Sequence, residues 1–254
     1  MAAPPQSAPG DVGLFKSTLL PSLARNTSLS AISYLLSYAN DRVEIKDYFW
    51  GTNMVVGAWW TALGSSTCHY LKQHRESPDV AASVTHAWED LSWSQKVLLF
   101  GVSLWGMRLT YRISSRGIRR YHAGKGNDDA RYVAVKNTPN FWNTAFWKLY
   151  LPEVLSQTVI ALPFTIPFRN AASSSLSPAQ SDLARVVGVG IFGVGFMLEA
   201  IADGQLAYHT RKHEEGLVRN GVWSIVRHPK YVFLSFFLSN FMFGFCADHV
   251  QLSG

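Results

Sequence analysis

Leu183-Ala-Arg-Val-Val-Gly188-Val-Gly190-Ile-Phe-Gly193-Val-Gly-Phe-Met-Leu-Glu199-Ala-Ile-Ala202 decides the fold class of this chain. A helix that crosses a bilayer needs roughly 20 mostly apolar residues, and this stretch supplies them. It also spells G-x-G-x-x-G at Gly188, Gly190 and Gly193. A dinucleotide-binding reading of that pattern requires a preceding strand and a βαβ unit. Here the glycines lie inside one continuous apolar run, where small residues let helices pack closely in lipid.

Four further blocks have the same character: Thr52–Leu71, Lys96–Thr110, Trp147–Phe168 and Tyr231–Cys246, of which Lys96–Thr110 and Tyr231–Cys246 are short and rely on flanking aromatics. Leu14–Ala39 is a weaker sixth, interrupted by Lys16, Pro21, Arg25 and Asn26. No β-alternating run of useful length separates them, so the expected fold is all-α. It is a polytopic transmembrane helical bundle of about five to six spans. Ala171–Pro178 reads as a short turn-rich linker between antiparallel neighbours. Met1–Gly10 is Ala/Pro/Ser-rich, and residues 1–13 are expected to be disordered. That start lacks the basic-then-apolar order of a signal peptide. The division expected is N-terminal membrane helices over 14–94 and a C-terminal membrane domain over 95–254.

Composition agrees. Charged residues make up 16% of the 254, against about 25% in average globular chains. Aromatic residues reach 13%, with nine Trp. The mean hydropathy of +0.04 averages apolar blocks with polar, basic connections. The net charge of +6 is unevenly placed. Lys72–Lys96 holds few cations, opposed by Glu76, Asp79, Glu89 and Asp90, whereas Arg112–Lys148 and Asp203–Lys230 are rich in Arg and Lys. By the positive-inside rule those two basic segments face the cytosol. No nucleic-acid motif accompanies the charge. Cys68 and Cys246 form neither a disulfide framework nor a metal site. Asn26-Thr-Ser is a glycosylation sequon, a pattern that often occurs by chance.

Several polar groups sit where an apolar helix would not place them without cause. Arg108, Arg112, Arg116 and Arg119 or Arg120 share one helix face by their spacing. They can form an electropositive wall for phosphates, or a basic helix end against anionic lipid. Asp128-Asp129-Ala-Arg131-Tyr132 follows a Gly-rich turn. Its acids can cap the next helix or orient neighbouring arginines. Glu199 and Asp203 stack four residues apart, and Glu153 lies inside another apolar block, so both places are candidate polar pockets. Gly221-Val-Trp-Ser-Ile-Val-Arg227-His228-Pro229-Lys-Tyr231 gathers a guanidinium, an imidazole, a helix-starting proline and a phenol at the mouth of the last apolar run. Arg227 offers a planar fork for phosphate, and His228 exchanges a proton near neutral pH.

In this order, these pieces resemble the membrane proteins related to steroid 5-alpha-reductases. The residues that carry the likeness are Leu104-Trp-Gly-Met-Arg108-Leu, Asp128-Asp129-Ala-Arg131-Tyr132, Phe141-Trp142, Phe196-Met-Leu-Glu199-Ala-Ile-Ala-Asp203-Gly-Gln205-Leu and the Gly221–Tyr231 stretch. They cover roughly residues 95–231. The Arg-His-Pro-x-Tyr element is shared with sterol reductases and isoprenylcysteine methyltransferases. The Glu-x-x-x-Asp-x-Gln element is more specific to the reductase-like group. The resemblance implies an endoplasmic-reticulum enzyme with a cytosol-facing cofactor cleft, in which NADPH reduces a carbon–carbon double bond of a hydrophobic, steroid-like enone. It implies that Arg108, Arg112, Arg131 and Arg227 hold phosphates and that Asp203 and Gln205 meet ribose or amide groups. Trp223 and His228 line the same pocket, and Tyr231, with His228, is the catalytic candidate. S-adenosylmethionine in a membrane methyltransferase is the alternative cofactor. One departure stands out. The family pattern continues Tyr-x-Gly-Glu, whereas this chain reads Tyr231-Val-Phe233-Leu234 and stops at Gly254. A truncated, non-catalytic membrane protein is therefore the third expectation.

Overall fold

The computed structural model describes residues 15–74, 79–124, 128–165, 168, 178–212 and 221–225. Every regular element among them is helical. The contacts divide the chain into two compact units, residues 1–169 and 170–254.

In the first unit, α1 (Leu20–Ala39) follows a π turn, Phe15–Leu19. The helix α2 (Ile45–Trp59) continues through a π turn, Trp60–Gly64, into α3 (Ser65–Gln73). Next come α4 (Val80–Glu89), α5 (Trp93–His122), α6 (Ala130–Lys136) and α7 (Phe141–Ala145). A third π turn, Phe146–Tyr150, leads into α8 (Leu151–Ile160), and α9 (Leu162–Thr165) follows. The first and third π turns each end just before a proline, Pro21 or Pro152. Proline has no N–H and crowds the carbonyl four residues back, so a widened turn relieves both faults.

The block expected at Lys96–Thr110 is the middle of a longer helix. A capping box starts α5 at Ser92, whose Oγ accepts from the Gln95 N–H while Gln95 Oε1 accepts from the Ser92 N–H. Its 30 residues span about 45 Å.

The helices pair by register. Along α2 and α5, Trp59 Nε1 donates to Ser103 Oγ (2.7 Å), Thr52 meets Thr110 (3.2 Å) and Glu44 meets Arg120, which makes the pair antiparallel. Gly51 and Gly106 let these backbones touch: a Cβ on Gly106 would lie 2.5 Å from Val55 Cγ2 and 2.9 Å from the Gly51 carbonyl. Asn26 with Thr158, and Tyr34 with Tyr150, set α1 antiparallel to α8. Residues 40–48, 116–124, 128–136 and 142–150 thereby gather at one end of the unit, and α3 and α4 lie at the other.

The second unit holds α10 (Pro178–Arg211) and α11 (Val222–Ile225). Val186–Arg211 is the one helix among the described residues that is long and apolar enough to cross a membrane by length and composition, which supports membrane association. No described atom lies within 4 Å of a Cβ built at Gly188, Gly190 or Gly193. Among the described residues, close backbone approach between helices is seen at Gly51 and Gly106.

Burial along α1 is inverted relative to a helix of a water-soluble bundle. The buried positions of α1 are Ser22, Asn26, Ser30, Ser33 and Ser37, while Leu20, Ile32, Leu35 and Leu36 are exposed. Those spacings of four, four, three and four trace one face of a helix. On α5 the outward stripe is Phe100, Leu104, Met107 and Tyr111. An apolar core of Met54, Leu98, Leu99, Val102 and Trp105 lies inside the α2–α5 pair.

Candidate functional site

The densest polar constellation is a charge lattice at the end of the first unit where α2 starts and α5 stops. Asp128 is its pivot. Its carboxylate accepts the backbone N–H of Val43 (2.7 Å) and of Glu44 (2.8 Å), which ties the segment after α5 to the start of α2. Burial raises the Asp128 pKa, against these two bonds and the nearby Lys136. Glu44 receives Arg42, Arg120 and the Tyr48 hydroxyl (2.8 Å). Gly117 makes room for that Tyr48–Glu44 pair, since a Cβ there would lie 2.9 Å from Glu44 Oε1.

Asp129 caps α6 by accepting from the Arg131 N–H (3.1 Å). Burial works against its charge, but the bonds from Arg131 and Arg120 outweigh it and hold its pKa near 2. A carboxylate depressed below the usual 3.8 stabilises the fold fully above about pH 4, and loses that contribution as pH falls toward 2. Asp129→Asn is therefore expected to flatten the loss of stability between those limits, as read by unfolding midpoints across an acid series.

Asp47 links the lattice to the bundle interior. It accepts from Arg131 Nη2 (3.0 Å), from the Tyr132 hydroxyl (2.9 Å) and from Lys46 Nζ (3.0 Å). Lys46 also donates to Glu153 Oε2 (2.7 Å). Lys46 is thus flanked by two carboxylates, Glu153 and Asp47. From Glu153 the chain of bonds continues inward: Gln157 Nε2 donates to Glu153 Oε1 (3.2 Å), and Asn53 Nδ2 donates to Gln157 Oε1 (2.7 Å). Burial pushes the Tyr132 phenol up to about 12, so it stays a hydrogen-bond donor at neutral pH.

The sequence-derived candidates divide accordingly. Arg131 is engaged by Asp129 and Asp47, and its motif, Asp128 to Tyr132, works as a clasp between α2, α5 and α6. Glu153 belongs to the buried ion pair with Lys46. Arg108 and Arg112 lie half-buried one turn apart on α5. In the second unit, Glu199 and Asp203 are both buried on α10. Gln205 and Trp223 come together there: Gln205 Oε1 accepts the Val222 N–H (3.1 Å), and Trp223 Nε1 donates to the Ala202 carbonyl (3.0 Å). Gly221, at φ +65°, allows the turn, and a side chain there would strike Gln205. Arg227, His228, Tyr231 and the apolar run to Cys246 lie outside the described residues. Sequence reasoning missed Glu44, Lys46 and Asp47. Their signal was available, as Arg42-Val-Glu-Ile-Lys-Asp47 is an unusually charge-dense link between two apolar runs.

A profile of one protein family matches residues 77–250, well over half of the chain. It is described as a protein family of unknown function, DUF1295. The chain belongs to this family. The DUF1295 match takes in α5, the clasp motif, α10 and the Arg227–Tyr231 stretch, and it continues through the residues that depart from Tyr-x-Gly-Glu. No curated protein and no experimentally determined structure matches the chain.

Proposed function

We propose that this DUF1295 protein is an integral membrane oxidoreductase that uses NADPH to reduce a carbon–carbon double bond of a hydrophobic enone. The membrane part of this reading is carried by the inverted burial of α1 and by the outward apolar stripe of α5. Ser and Asn inside, with Leu, Ile, Phe and Met outside, is a stable arrangement in lipid and a costly one in water. Lys46 and Glu153, largely withdrawn from solvent, are paired with each other. Mean hydropathy undervalues α1 because Asn26 and four of its serines are buried.

The observation that favours NADPH is the pair Arg108 and Arg112, half-buried on successive turns of α5. Two guanidinium groups at that spacing suit a pyrophosphate, since charge-assisted bidentate contacts are strong. Arg131, which the resemblance adds to this set, also meets Asp129 and Asp47. By the resemblance, Arg227 would add a phosphate contact, and Asp203 and Gln205 would meet ribose or amide groups. When bound, NADPH supplies the hydride; the chain's own groups bind, orient and exclude water.

Thermal unfolding of the detergent-solubilised protein tests the cofactor. NADPH at 100 times its dissociation constant is expected to stabilise by about 2.7 kcal/mol. Arg112→Ala should remove most of that gain. Stabilisation by S-adenosylhomocysteine instead would turn the reading to a methyltransferase. Stabilisation by neither would count against both enzymes.

A further inference from the structure

We propose that the lattice end of the first unit carries a binding surface for the phosphate groups of anionic phospholipids, built from Arg116, Arg119 and Lys148 within a ring of exposed aromatic side chains. This rests on the membrane reading above. The lattice acids are occupied by other cations: Glu44 by Arg42 and Arg120, Asp47 and Glu153 by Lys46, Asp41 by Lys136. Among the described residues no acid pairs with Arg119 or Lys148, and both are exposed. Arg116 stands 58% exposed with only a 3.9 Å approach to Asp129. The six lattice acids, Asp41, Glu44, Asp47, Asp128, Asp129 and Glu153, face five lattice cations, Arg42, Lys46, Arg120, Arg131 and Lys136, so with Arg116, Arg119 and Lys148 these groups carry a net charge of +2.

Depth agrees with charge. Trp93 opens α5 and is 66% exposed, as an interfacial tryptophan would be. From it, Phe100, Leu104 and Met107 form the outward stripe, and Tyr111 lies about 27 Å along the helix, close to the thickness of a hydrocarbon core. Arg116 and Arg119 follow roughly 35 to 39 Å from Trp93, where the opposite headgroup layer would lie. Tyr121 and Ile118 flank them on α5, and Trp147, also 66% exposed, adjoins Lys148 before α8. Aromatic rings at the headgroup level next to snorkelling cations fit a leaflet rich in anionic lipid. The occupant is a bilayer lipid, since these exposed cations lie beside exposed aromatic and aliphatic side chains at the headgroup level of a helix whose outward stripe is apolar.

The test uses the full chain in nanodiscs of phosphatidylcholine with and without phosphatidylglycerol. Anionic lipid should raise the unfolding temperature by several degrees. Arg119→Gln/Lys148→Gln should lose most of that rise, and Lys72→Gln, at the other end of the unit, should keep it. Equal unfolding temperatures in the two lipids, or an undiminished rise in the double variant, would overturn the proposal. Alkaline carbonate extraction separates the two readings. A chain released from membranes overturns the membrane reading itself, whereas one retained but indifferent to lipid charge overturns only the lipid surface.

Discussion

Gly106→Val is expected to cost roughly 2–3 kcal/mol or more of stability, seen as a large fall in the unfolding temperature of the purified protein. A Cβ at residue 106 would lie 2.5 Å from Val55 Cγ2 and 2.9 Å from the Gly51 carbonyl oxygen. Val55 can turn, but the Gly51 carbonyl is backbone and moves only if α2 and α5 separate. Separation would undo the Trp59–Ser103 and Thr52–Thr110 bonds and open the core of Met54, Leu98, Leu99 and Val102. Gly204→Ala on α10 is the contrast. No described atom lies within 4 Å of its Cβ, and alanine favours helix over glycine by about 1 kcal/mol, so this change should be neutral or stabilising. If both glycine changes behave alike, the close α2–α5 approach is wrong.

Lys46→Met is the second large expected loss, about 3–5 kcal/mol. The methionine fills the space of the lysine stem, so lost packing is small. What remains is Glu153 without its cation, its side chain 17% exposed, and Gln157 hydrogen-bonded to a charge that has no partner. Asp47 keeps Arg131 and Tyr132, which confines the damage to Glu153. Lys46→Met/Glu153→Leu should recover most of the loss, because removing both charges also removes their desolvation cost. A double variant as unstable as the single one would mean that the pair acts through something other than its charges.

The helices were legible in the sequence wherever an apolar run met a clear signal at its end. The α10 run announces itself by composition. The run around residues 96–110 looked short because its ends are polar, yet Ser92-x-x-Gln95 marks where α5 begins. The first helix looked weak for a physical reason: Asn26 and four serines dilute its hydropathy, and these are the residues that face inward. Part of the charge lattice was legible as well. Asp129 next to a turn reads as a cap, and it is one. The partners of Asp128 and Lys46 were not legible, since they lie 84 to 107 residues away and no local rule connects them. The conspicuous glycines of residues 188–193 drew the eye, whereas the ones that bring backbones together, Gly51 and Gly106, stand alone in sequence.

The central claim is that lipid, not water, bathes the outward apolar faces of the first unit. Cysteine mapping in native membranes tests it most directly. In a Cys68→Ser/Cys246→Ser background, three single cysteines are needed: Leu104→Cys on the outward stripe of α5, His122→Cys at the lattice end and Glu89→Cys on α4. With a membrane-impermeant maleimide, His122→Cys should label from the cytosol, and Glu89→Cys only after permeabilisation. Leu104→Cys should stay unlabelled in both conditions despite its 52% exposure, until detergent unfolds the chain. Rapid labelling of Leu104→Cys in the folded protein, at the rate of the other two, would place that face in water and contradict the account.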